Sequence, residues 1–354
     1  MTNKKKHIKK KNLIIIIASA IILIAGVIAG VMILNKKDTP ASSKKDKSKI
    51  DKKEDPIKNL KIVDVLSTSR PFAVMINNIN VARPLQSGLQ DAYIVYEIIV
   101  EGGITRYMAL FLDQNTARIG SVRSARHYYL DYAMENDAIY VHHGQSDQAY
   151  DDFQRLALDR IVVDNNKTGW RDKSLKVSSE HTLFTSIDKL KNGIGKKRTV
   201  RNKKLLLNYS PDSLNLKDFE NSKQANNVSI RYSNNTTTSY VYDENNKVYK
   251  RFVNNKEHKD YVTKEQYTVK NIITYQVHNY NLNDGSGKGR QGLDNIGSGT
   301  GYFISEGVAV PITWEKTSRD QQTVYKYENG KELVVNDGNT FIQIQPKGEA
   351  LTIS

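Results

Sequence analysis

Cysteine is absent from all 354 residues. Its absence excludes disulfides, thiolate metal sites, a cysteine nucleophile and the lipid-modified N-terminal cysteine that bacterial lipoproteins carry. Other chemical signatures are missing as well. No P-loop occurs, no G-x-S-x-G surrounds a serine, and no His/Asp/Glu spacing reads as a metal site. Neither a metal nor a cofactor is expected. Gly287 to Gly292 match G-x-G-x-x-G by letter, but no βαβ pattern surrounds them and further glycines follow where a helix would start. This stretch reads as a loop.

The folded body also lacks a strong charge excess. The net charge is +15, yet residues 1–60 alone hold 15 lysines against 5 acidic residues. The remaining 38 basic residues face 33 acidic ones, so the positive charge belongs mainly to the N-terminal flank. A nucleic-acid partner, which needs clustered charge on structure, is disfavoured.

Within that flank, Leu13 to Leu34 is a 22-residue run without a charge. As a helix it spans roughly 33 Å, enough for a ~30 Å hydrocarbon core. Six lysines precede it, which predicts a cytoplasmic tail over 1–12 and an extracytoplasmic body. The run exceeds a signal-peptide core and no A-x-A follows, so a retained anchor is expected. Residues 35–64 are Lys-rich and poor in large apolar side chains, the composition of a disordered tether.

The body divides by texture. Residues 65–205 predict a layered α/β unit. It has a buried strand over Arg70 to Asn77, a hairpin around Gly102-Gly103, a strand over Asp137 to His143, and helices over Ser121 to Glu135, Ser146 to Leu158 and Ser178 to Lys191. After a Lys/Asn/Ser-rich segment at 206–227, residues 228–354 alternate β-type runs with Asn-Asn, Asn-Gly and Asp-Gly turns, predicting a mostly antiparallel β unit.

Three places could carry chemistry. A two-residue Gly-Gly loop would set Ile99 opposite Arg106 and Glu97 opposite Met108, putting Glu97, Glu101 and Arg106 on one face. That arrangement offers a general acid with a supporting carboxylate for glycan cleavage, or a cross-strand salt bridge. Arg118, Ser121, Arg123, Ser124 and Arg126 surround an expected helix start, where free N–H groups and guanidinium forks suit an anion. The rival expectation is that Arg123 and Arg126 pair with Asp131 or Glu135. His143 and Gln145 end a strand and enter a helix, a position where α/β folds often bind ligands, with His181 as a possible neighbour. The expected partners are a cell-wall glycan, an anionic polymer or an envelope protein.

The phrases ARPLQSGL, VEGGITR and IGSVRSAR, with GTGYFISEGVAVPITWEK and DGNTFIQIQP later, resemble the YerB-like family of bacterial cell-envelope proteins over roughly residues 65–346. The resemblance implies an α/β first region, a β-rich second region and an extracytoplasmic setting, and no particular activity. Many family members look like lipoproteins; this chain has no cysteine and an apolar run in that place.

Overall fold

The computed structural model describes residues 60–354. The expected tail, anchor and most of the tether lie outside the described residues. Among those described, no helix is long and apolar enough to cross a membrane. The last residues assigned to the tether are part of the body. Val63 is buried, and the Lys61 and Ile62 amides donate to the Asp337 carboxylate at 2.9 and 3.1 Å.

The fold is mostly β, with three α-helices among the described residues. An 11-stranded sheet runs through both sequence regions. Phe72–Asn77, Ile94–Ile99, Thr105–Phe111, Ile139–His142 and Arg160–Val162 come from the first region. Asn271–Val277, Gly297–Ser305, Val308–Lys316 and Thr340–Pro346 come from the second. The seam is Thr340–Pro346, which pairs in parallel with Ile94–Ile99 on one side and Asn271–Val277 on the other. The two regions therefore share one sheet instead of each closing a sheet of its own. Segment 206–227 is also built in, with Leu207, Tyr209 and Leu216 buried.

The helices His127–Glu135 and Asp147–Arg155 cover one face of this sheet, packing Tyr128, Tyr129 and Ala149 against Tyr96, Ile98 and Leu110. A second, antiparallel sheet covers the other face, where Tyr232, Tyr240 and Tyr249 meet Val95, Tyr107 and Phe341. Strand alternation explains both contacts, because successive residues of Ile94–Ile99 serve opposite layers. Ser305 and Val308 are joined by Glu306 (φ 47°) and Gly307 (φ 78°), the left-handed pair that a two-residue hairpin requires.

Two of the expected helices are shorter. The first begins at His127, because Ser121 to Arg126 is held extended: Val122 N–H donates to Leu183 O, Arg123 N–H to Met75 O and Ala125 N–H to Gly144 O. The span from Ser178 to Lys191 is a short turn, then strand Leu183–Thr185, then helix Ile187–Gly193 with Ser186 as its cap. Ser146 caps Asp147–Arg155 through Ala149 N–H, as expected. Gly287 to Gly292 lead into strand Gln291–Leu293, not a helix, and Arg290 pairs with Asp147 and Asp284.

Candidate functional site

The hairpin forms, with a different register. Glu101-Gly102-Gly103 makes a tight turn in which both glycines have positive φ (68° and 67°). The turn thus takes more than two residues, and Glu97 lies opposite Tyr107 while Ile98 lies opposite Arg106. A one-residue slip sends side chains to opposite faces. Glu97 therefore does not join Glu101 and Arg106. It points into the layer between the two sheets.

There Glu97 is fully buried and saturated. Its Oε2 lies 2.6 Å from Arg251 Nη2, and it accepts hydrogen bonds from Thr105 Oγ1 at 2.7 Å and Thr238 Oγ1 at 3.1 Å. The His258 ring extends the chain, accepting from Arg251 at Nδ1 and donating from Nε2 to Gln86 Oε1. Burial, then the Arg251 charge, hold His258 far below its ordinary range, so this ring is neutral. A carboxylate so enclosed cannot reach a substrate proton, which corrects the expectation of Glu97 as a catalytic acid.

Glu101, Arg106, Arg123 and Arg126 do gather; Glu101 and Arg106 share a face as the spacing indicated, whereas Arg123 and Arg126 take partners that it did not. All lie where Phe72–Asn77, Ile139–His142 and Arg160–Val162 run parallel and end. Arg126 grips Glu101 with two bonds, Nε to Oε1 at 2.5 Å and Nη2 to Oε2 at 2.8 Å. Arg106 Nη2 is 3.9 Å from the same carboxylate, and its Nη1 donates to Ser124 O at 2.6 Å. Arg123 pairs with Glu180 at 2.5 Å. Asp131 and Glu135, the expected local partners, are engaged by Arg319 and Lys316.

Burial would raise the Glu101 carboxyl; the Arg126 and Arg106 charges outweigh it and hold it below its ordinary value. A general acid needs the opposite shift. Burial, then the Arg126 charge, pull Arg106 down to about 10. Arg106 is 6% exposed and its Nε has no partner.

His143 donates from Nδ1 to Val163 O at 2.8 Å and presents Nε2 to Arg171 Nη2 at 3.3 Å. His181 accepts from Asn77 Nδ2 at 3.0 Å, and its other nitrogen is 3.5 Å from Glu180. Gln145 is exposed and pairs through its backbone with Ala125. Ser121 is buried with Oγ unpartnered, and the N–H groups of the following residues are spent on Leu183 and Met75. The expected helix-start cradle is thus replaced by side chains. Arg118 lies apart from it, bonded to Asp172 at 2.9 Å with its guanidinium 3.5 Å from the Phe184 ring centre. Asn77, Arg171 and Glu180 complete the rim. Their only sequence signal is position at the end of a strand or within a polar loop.

The model for the protein of unknown function DUF3048, N-terminal domain, matches residues 59–201, and its C-terminal counterpart matches 228–342. The chain belongs to the DUF3048 family. A Bacillus subtilis (strain 168) member named "Putative lipoprotein YerB" is 30% identical over 304 residues, 84% of this chain and 88% of that one. The crystal structure of the B. subtilis YerB protein aligns with TM-score 0.68 at 28% identity, covering 80% of this chain and 94% of that chain. Covering 80% of this chain, the structural likeness is longer than either DUF3048 region alone.

Proposed function

We propose that the protein is an extracytoplasmic envelope protein, held at the membrane by its N-terminal apolar run, that binds an anionic group at the arginine rim. The ligand would be an anionic wall polymer or acidic glycan, or an acidic segment of an envelope protein. The relative's name as a lipoprotein supports a membrane tether, and the absence of cysteine here calls for a different anchor. The carrying observation is Arg106. It is buried, has an unpartnered Nε, and shares with Arg126 a single carboxylate that Arg126 already holds. Buried guanidinium without a dedicated counter-ion favours an incoming carboxylate or phosphate. The lowered Glu101 carboxyl disfavours the alternative in which this residue cleaves a glycan as a general acid.

The test is titration of the full-length protein in detergent with polyglycerol phosphate and, as control, a neutral glucan. Binding of the first that weakens about tenfold in Arg126→Ala, the scale of one ~1.4 kcal/mol contact, is expected. Equal affinity of wild type and variant for both polymers would remove this reading.

A further inference from the structure

A second surface, independent of the arginine rim, is shaped to accept an added strand. The antiparallel sheet that covers the main sheet ends at Leu351–Ile353, which pairs only with Asn227–Ser233 among the described residues. Asn227 and Ser354 exchange two hydrogen bonds, 2.7 and 2.9 Å, and Arg231 N–H donates to Ala350 O at 3.0 Å. Antiparallel ladders alternate, so the N–H and C=O groups of Leu351 and Ile353 point to the open edge. Such an edge is a ready template for another chain.

The main sheet continues beneath that edge. Gln276, Ser298, Thr300 and Tyr302 share one face there by strand alternation and register, and Ser298 and Thr300 are exposed. With Leu351 they line a cavity of 770 Å³. A second cavity of 840 Å³ adjoins it at the Asn227 end, lined by Lys217, Lys223 and Lys247. Lys223 Nζ, from the lining of the second cavity, lies 4.3 Å from the ring centre of Tyr302, which lines the first. Of the two acids lining the basic end, Glu306 is neutralised by Lys270 at 2.6 Å, which leaves Glu244 facing three lysines.

We propose that this strip binds an extended peptide segment of a partner protein, which adds as an antiparallel strand to Leu351–Ile353. Antiparallel addition sets the partner's N-terminal end beside Ser354 and the lysines. The segment should therefore be acidic first, then small and hydroxyl-bearing where it crosses Ser298 and Thr300. Main-chain bonds give such a complex its affinity, and alternate side chains give it specificity.

The probe is a fluorescein-labelled nonapeptide, Asp-Asp-Asp-Ser-Thr-Val-Thr-Val-Ser, titrated by anisotropy into the full-length protein in detergent. We expect saturable binding that weakens at least about tenfold when lysines replace the aspartates, or when alternate peptide nitrogens are methylated. The protein variants Lys223→Glu and Ile353→Pro should weaken it similarly, the first with unchanged melting temperature. Proline at Ile353 removes an outward N–H, and with it a side chain that packs partly against the layer between the sheets. Should that variant melt early, the methylated peptide applies the same test from the ligand side. Equal binding of methylated and unmethylated peptide would overturn the proposal. So would no binding of any peptide, or uptake of a neutral muropeptide in its place that Lys223→Glu leaves unchanged.

Discussion

Glu97 and Arg251 stand 154 residues apart in the chain and 2.6 Å apart in the fold, with neither side chain exposed. One belongs to each DUF3048 region. A second buried pair, Glu135 with Lys316 at 2.9 Å, repeats the pattern on the opposite side of the sheet. Desolvating two charges is costly, and the cost is offset only where every remaining lone pair and proton is used. Glu97 meets that condition through Thr105 and Thr238, and Glu135 through Tyr96 and Thr323.

Glu97→Ala should destabilise the protein by about 3–5 kcal/mol, because it leaves Arg251 charged and unpaired in the interior. Glu97→Leu with Arg251→Met should cost much less than the sum of the single changes. Denaturant unfolding followed by two spectroscopic probes checks both. Because the pair joins the two regions, a single transition is expected, and two separated transitions would show that the regions unfold independently.

Glu101→Gln should strengthen anion binding while reducing stability. The substitution frees Arg126 and leaves Arg106 without its nearby carboxylate. Several-fold tighter binding of polyglycerol phosphate is the expected result. If the bound form is set elsewhere, affinity will not move.

Stability should fall as pH drops from about 6.5 to about 4, since unfolded imidazoles titrate near 6.5. Burial, the chief cause, pulls His127 and His142 down to about 4. Across this window the unfolded chain binds more protons than the folded one, so the contribution is complete above the window and lost through it. His142→Phe should flatten the slope in thermal melts across that range. Its ring already stacks on Phe153 with centres 5.0 Å apart.

Gly88→Ala should cost more than Gly285→Ala. Both glycines have positive φ, 86° and 72°, so each change carries the left-handed penalty of roughly 1–2 kcal/mol. Only at Gly88 would the new Cβ also meet backbone, 2.6 Å from Arg118 O; at Gly285 it meets nothing within 4 Å. Melting temperatures of the two variants give the difference directly.

The absence of cysteine permits a clean topology test. A single cysteine at Asn329→Cys, in an exposed turn, should react with a membrane-impermeant maleimide in intact cells. One at Thr2→Cys should be protected. The reverse pattern would place the body in the cytoplasm.

Much of the local structure was legible. The strand runs from Asn227 onward, the hairpin at Gly102-Gly103 and the Ser146 cap each follow from side-chain periodicity or turn chemistry within a few residues. The helix start at Ser121 is misleading, because a good cap residue competes with tertiary hydrogen bonds from the segment's N–H groups to the carbonyls of Leu183, Met75 and Gly144. The site was half legible. Glu101, Arg106, Arg123 and Arg126 are recognisable as a polar group, but their pairing with one another and with Glu180 depends on where distant strands end.

Composition and local pattern by themselves determine that the second region is β-rich, that most of the net positive charge precedes residue 61 and that thiol chemistry is excluded. Those properties depend on neighbours within a few residues, where periodicity and turn preferences act. Only the tertiary structure decided the rest. The Thr340–Pro346 strand enters beside Ile94–Ile99 and fuses two sequence regions into one sheet. A turn one residue longer than its shortest form decides whether Glu97 faces the arginine rim or a buried arginine. Register and strand order are set by burial summed over the whole molecule, which no short stretch of sequence contains.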